Sequence, residues 1–71
     1  MLPYSEINVG DMFSDPMSRG FGEYSGLTWV VEEKKEKMIK LQAHRASDGS
    51  VFGPPIWKKN TARMFSEHWR V

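Results

Sequence analysis

Apolar and polar residues alternate most regularly between residues 27 and 44. Leu27, Trp29 and Val31 share one parity, with Thr28, Val30 and Glu32 on the other; after a charged break, Ile39, Leu41 and Ala43 alternate with Met38, Lys40, Gln42 and His44. A period of two belongs to a strand with one buried face. The same stretch can also be read as a helix, with Glu33–Lys37 and Glu36–Lys40 at i,i+4, each pair adding about 0.2–0.5 kcal/mol. The run "TWVV" argues against that, because branched and aromatic side chains lose χ1 freedom in a helix and pack well on a pleated surface. A hairpin is the better reading, with the charged "EKKE" of residues 33–36 at its tip.

The flanking pattern adds shorter elements. "INVGDMF" reads as an extended start containing Val9, a Gly10-Asp11 turn, then Met12 and Phe13. Residues 14–26, "SDPMSRGFGEYSG", concentrate Ser, Asp, Pro and three glycines. They form a long loop, the type of segment that carries binding. Asp48-Gly49 marks a tight turn between a strand ending near Arg45 and another beginning near Ser50. Pro54 and Pro55 lack amide donors, so that next strand is bent or lies at an edge. Asn60 or Thr61 caps one helical turn, "ARMFSEH", and "HWRV" closes the chain as a strand. Ile56, Phe65, Trp69 and Val71 are expected in the core; Trp57, Lys58, Lys59, Arg63, His68 and Arg70 are the residues of the tail left to face water. The expected fold is a single all-β domain over residues 1–71, a small barrel of about five short strands with one short helical turn before the last.

Composition sets limits on this picture. A chain of 71 residues buries only about 60% of the surface its unfolded form exposes. It contains no cysteine, which removes disulfides, thiolate metal sites and a Cys nucleophile. Three Trp, four Phe and two Tyr supply the core instead. No stretch approaches the roughly 18 apolar residues of a membrane span, and the N-terminus lacks the pattern of a signal peptide, so a cytoplasmic protein without a membrane partner is expected. The net charge of +1 divides unevenly: residues 1–36 hold seven acids against three bases, and residues 37–71 hold seven bases against two acids. The molecule is two-faced electrically unless the fold interleaves the halves.

The layout "VGDMFSDP", "LTWVVEE", "KMIKLQA", a "DG" turn, "IWKKNTARMF" and a terminal "HWRV" resembles small SH3-like barrels, in particular short, mostly uncharacterised bacteriophage proteins. The resemblance spans nearly the whole chain and is a strand pattern without a functional signature. It implies a fold and the cytoplasm of a bacterial host, while SH3-like barrels serve as nucleic-acid binders, peptide binders and structural modules alike.

Catalytic chemistry has little support. His44 and His68 lie 24 residues apart without a metal-ligand spacing. "SEH" at 66–68 is local, whereas triads are assembled from distant segments. Gly20, Gly22 and Gly26 follow G-x-G-x₃-G in a chain too short for a dinucleotide-binding unit. Glu32 and Glu33 are consecutive beside lysines near the proposed hairpin tip rather than an enclosed pair of catalytic carboxylates. No enzyme activity, metal or cofactor is expected, which leaves binding. The leading expectation is a protein-interaction module, a phage-type accessory or host-directed protein docking through Met17, Phe21 and Tyr24 in the long loop onto a host or phage protein; Phe21 lies between two glycines. An unpartnered apolar patch would equally pair two copies in a symmetric homodimer. The alternative is nucleic acid bound by Trp57, Lys58, Lys59, Arg63 and Arg70, with Lys37, Lys40 and Arg45 adding charge if the hairpin packs nearby, and Trp57, Phe52 or Tyr24 stacking on bases. Near-zero net charge weighs against it. It turns on whether Trp57 is exposed beside its lysines.

Overall fold

The computed structural model describes residues 1–14 and 26–71. The alternating segment forms an antiparallel hairpin of β2 (Leu27–Lys35) and β3 (Met38–Arg45), flanked by β1 (Met12–Ser14) and β4 (Val51–Lys59). The four strands make one open antiparallel sheet in the order β1-β2-β3-β4. The chain is therefore all-β among the described residues, apart from one 3₁₀ turn at Tyr4–Glu6.

The hairpin tip differs from the expected "EKKE". Glu33, Lys34 and Lys35 belong to β2, and the loop is only Glu36 (φ 51°) and Lys37 (φ 65°). Two left-handed residues joining antiparallel strands match the strands' own twist, the geometry of a type I′ turn. Neither residue is the Asn or Gly that normally signals such a turn. A bulge between Val31 and Glu33 then changes which side chains face the core. Without it, Glu33 and Lys35 would continue the parity of buried Val31. With it, Lys34 pairs with Ile39 on the core side, while Glu33 and Lys35 turn to the outer face opposite Lys40 and Met38. Lys34 closes the core's edge: its Nζ donates to the Tyr4 carbonyl at 2.8 Å and lies 4.2 Å from the centre of the Tyr4 ring.

β4 is an edge strand, as its prolines require, and it bends. Leu41 pairs with Ile56 and Ala43 with Phe52, so Gly53, Pro54 and Pro55 all stand opposite Gln42. The two prolines have no N–H to contribute to the ladder. The Gln42 side chain enters the gap, its Nε2 donating to the carbonyls of Gly53 at 2.9 Å and Ala43 at 3.1 Å. Gln42 is the buried polar residue among those described, and its hydrogen bonds offset the cost of that burial. The expected turn at Asp48-Gly49 is present within the connection from Arg45 to Val51: the Ser50 amide donates to Asp48 Oδ1 at 2.9 Å, and Gly49 takes φ 75°.

The core gathers Leu2, Ile7, Phe13, Val31, Ile39, Leu41, Met64, Phe65 and Trp69, with Ile56, Trp29, Tyr4 and Ala62 packed against it. Phe13 and Phe65 meet edge to face, 5.4 Å between ring centres. Three expectations need correction. Val9 lies in a turn before β1 and is exposed; the Asn8 amide donates to Asp11 Oδ2 there, and the Gly10 amide reaches the Val31 carbonyl. Val71 is exposed rather than core. Residues 60–69 form successive turns, with amides such as Phe65 to the Ala62 carbonyl and Trp69 to the Ser66 carbonyl, in place of a helical turn. The terminal "HWRV" narrows to one antiparallel bridge, Phe13 with Arg70, flanked by the Ser14 amide to the Trp69 carbonyl (2.7 Å) and the Val71 amide to the Met12 carbonyl (2.9 Å).

Candidate binding face around Trp57

β3 lies between two partners, and its register builds the outer face. Lys59 on β4 and Lys35 on β2 both pair with Met38; Trp57 on β4 and Glu33 on β2 both pair with Lys40. Partners in an antiparallel pair point to the same side with Cβ atoms about 4.5–5.5 Å apart. The result is two rows, Lys35–Met38–Lys59 and Glu33–Lys40–Trp57, on one surface. Trp57 is 43% exposed. Its indole forms one wall of an open concavity of about 340 Å³, completed by Lys35, Glu36 and Met38. Met38 and the indole give it an apolar lining, Lys35 adds one ammonium, and the turn residue Glu36 adds one carboxylate.

The basic residues of the tail do not form one cluster. Lys59 shares the face of Trp57. Lys58 pairs with buried Ile39 and so emerges on the opposite side of β4. Arg63 lies over the Trp69 ring at 5.9 Å. Arg70 sits across the sheet at β1, where it is ion-paired to Asp11 at 2.9 Å and to Glu67 at 3.2 Å and stacks 5.4 Å from the Phe13 ring. Desolvation works against the Arg70 charge, but the hydrogen bond and charge of Asp11, with Glu67, outweigh it and hold the guanidinium pKa above its ordinary value. Its donors are taken up inside the molecule. Phe52 pairs with Ala43, with the Arg45 guanidinium 4.9 Å from its ring. Met17, Phe21 and Tyr24 lie outside the described residues.

The remaining candidates have structural partners. His44 Nδ1 is 3.0 Å from the Gly49 carbonyl oxygen, and the His68 ring meets the Trp69 ring edge to face at 4.8 Å. The Glu67 carboxylate accepts from Arg70 Nε. Among the described residues no three His, Asp or Glu side chains group to hold a metal ion, and no helix is long and apolar enough to cross a membrane. Lys37 and Lys40 are expected near the tail only if the hairpin packs there, and no pattern in the sequence singles out Lys35, Glu36 or Met38. The missing signal was the two-residue turn, from which the Lys35–Met38 pairing follows directly.

Comparison of the chain with protein-family models, with curated proteins and with solved structures gives no match.

Proposed function

We propose that the chain is a non-enzymatic SH3-like barrel that binds single-stranded nucleic acid on the outer face of β2, β3 and β4. The observation that carries this reading is the exposed indole of Trp57 on the same surface as Lys35, Lys40 and Lys59. A solvent-facing aromatic stacks on unpaired bases, each stack contributing about 1–3 kcal/mol. Flanking ammonium groups meet the phosphates and release counterions. A paired duplex hides its base faces, so single strands are the favoured ligand. What supports the barrel part of the reading is the terminal bridge, which brings the end of the chain back to β1 beside the Phe13–Phe65 pair.

With three lysines on the face, binding weakens with salt at a slope of roughly −2 on logarithmic axes. Fluorescence anisotropy of labelled single-stranded oligonucleotides at about 50 mM salt tests the proposal. Trp57→Ala, an exposed-edge substitution, weakens binding about tenfold, consistent with the loss of one stack. No binding by the wild-type chain sinks the reading. A second reading, docking of a host or phage protein through Met17, Phe21 and Tyr24, rests on the Gly-Phe-Gly of residues 20–22 in the sequence and on the exposed Met12 in β1. There, Phe21→Ala abolishes recovery of one dominant partner from host lysate while oligonucleotide binding is unchanged.

A further inference from the structure

Glu36 is out of place on a surface that would hold phosphates. It lines the concavity together with Trp57, Lys35 and Met38, and the left-handed turn (φ 51°) fixes its backbone at the rim. A carboxylate there repels a bare phosphate chain. It attracts a ligand that carries negative charge for the lysines, an aromatic face for Trp57, and hydrogen-bond donors for Glu36 beside an acceptor for Lys35. A cationic peptide would satisfy Trp57, Glu36 and Glu33 but meets Lys35, Lys40 and Lys59 with like charge.

We infer that the concavity between Trp57 and Glu36 is a guanine-selective base site within a bound single strand. The inference rests on the nucleic-acid reading above. Guanine presents two adjacent donors, N1–H and the N2 amino group, which a carboxylate accepts side by side, with O6 next to them for the Lys35 ammonium. Thymine and uracil offer one N–H between two carbonyl oxygens, which the carboxylate repels. Adenine and cytosine place a ring lone pair beside their single amino group. Discrimination by such a two-point contact is expected to be about five- to a hundredfold, and the exposure of Glu36 puts it at the low end.

The test uses eight-residue oligothymidylates, unmodified or with a single central guanine, inosine or adenine. The guanine-containing strand binds at least about fivefold more tightly than the plain one, and inosine, lacking the N2 amino group, loses part of that gain. In Glu36→Gln, with folding checked by circular dichroism, the preference disappears while the plain strand binds as well as before or better, because a repulsive charge is gone. Guanosine monophosphate alone binds at least about tenfold more weakly than the guanine-containing strand, since it brings one phosphate to three lysines. Equal affinity for the mononucleotide, a guanine preference that survives Glu36→Gln, or equal binding of all strands by the wild type overturns the base site; the last leaves the nucleic-acid reading standing. Failure of every strand to bind, or preferential binding of a tetra-arginine peptide, overturns both.

Discussion

At the scale of single residues, Gln42 shows how a polar side chain can stabilise a break in a sheet. Its amide reaches the Gly53 carbonyl where Pro54 and Pro55 interrupt the ladder. Gln42→Leu keeps the volume and removes the donor, leaving a part-buried carbonyl unpaired at a cost of about 1–3 kcal/mol. In a chain this small that lowers Tm by roughly 4–8 °C per kcal/mol, readable by thermal denaturation; an unchanged Tm would show that water serves the carbonyl equally well. Asp48 gives a prediction in pH. Its carboxyl is held below the usual value by hydrogen bonds from Ser50, with the Arg45 charge assisting. A depressed folded-state value means that this contribution is present above the ordinary carboxylate range, near pH 4, and is lost as pH falls through the lower folded value. Asp48→Asn retains the turn, and the drop in its Tm between about pH 4 and pH 2 is shallower than in the wild type.

At the scale of elements, the β2–β3 hairpin decides where the charges go. Alternation over residues 27–31 and 38–43 was legible because one face of each strand is buried, and a half-buried strand must show that period. The edge character of β4 was legible from its prolines for an equally direct reason, the missing donors. The bulge after Val31 and the Glu36-Lys37 turn were not. Neither uses the glycine or asparagine that marks such geometry, and both depend on the register between the two hairpin strands rather than on the preference of any one residue. Their combined effect moved Lys35 onto the face of Trp57 and took Lys34 to the core edge. The same blindness to parity grouped Lys58 with Lys59, although adjacent strand residues point to opposite sides. A left-handed non-glycine residue costs about 1–2 kcal/mol, partly compensated by the lower entropy of its unfolded chain. Lys37→Gly therefore stabilises the protein by about 0.5–1 kcal/mol in denaturant titrations; a loss of stability would mean that the Lys37 side chain holds the turn.

At the scale of the whole molecule, the charge asymmetry of the sequence folds into local rather than global polarity. Arg70 from the basic half is ion-paired with Asp11 from the acidic half, and Lys34 from the acidic half seals the core, while Lys35, Lys40 and Lys59 from both halves converge beside Trp57. The net charge of +1 is mirrored on this face, where the three lysines meet Glu33 and Glu36, so what sets it apart is the exposed indole beside the lysines rather than an excess of charge. In the proposed function this face, and not the basic tail as a whole, binds nucleic acid. Lys58 and Lys59 provide an internal comparison, being adjacent in sequence, both exposed and on opposite sides of one strand. Anisotropy titrations of Lys58→Glu and Lys59→Glu with one single-stranded oligonucleotide at low salt distinguish the two sides of β4. Lys59→Glu weakens binding by an order of magnitude or more and Lys58→Glu by less than about threefold. Equal losses from the two, or a larger loss from Lys58→Glu, would contradict the assignment of the ligand to the Trp57 face.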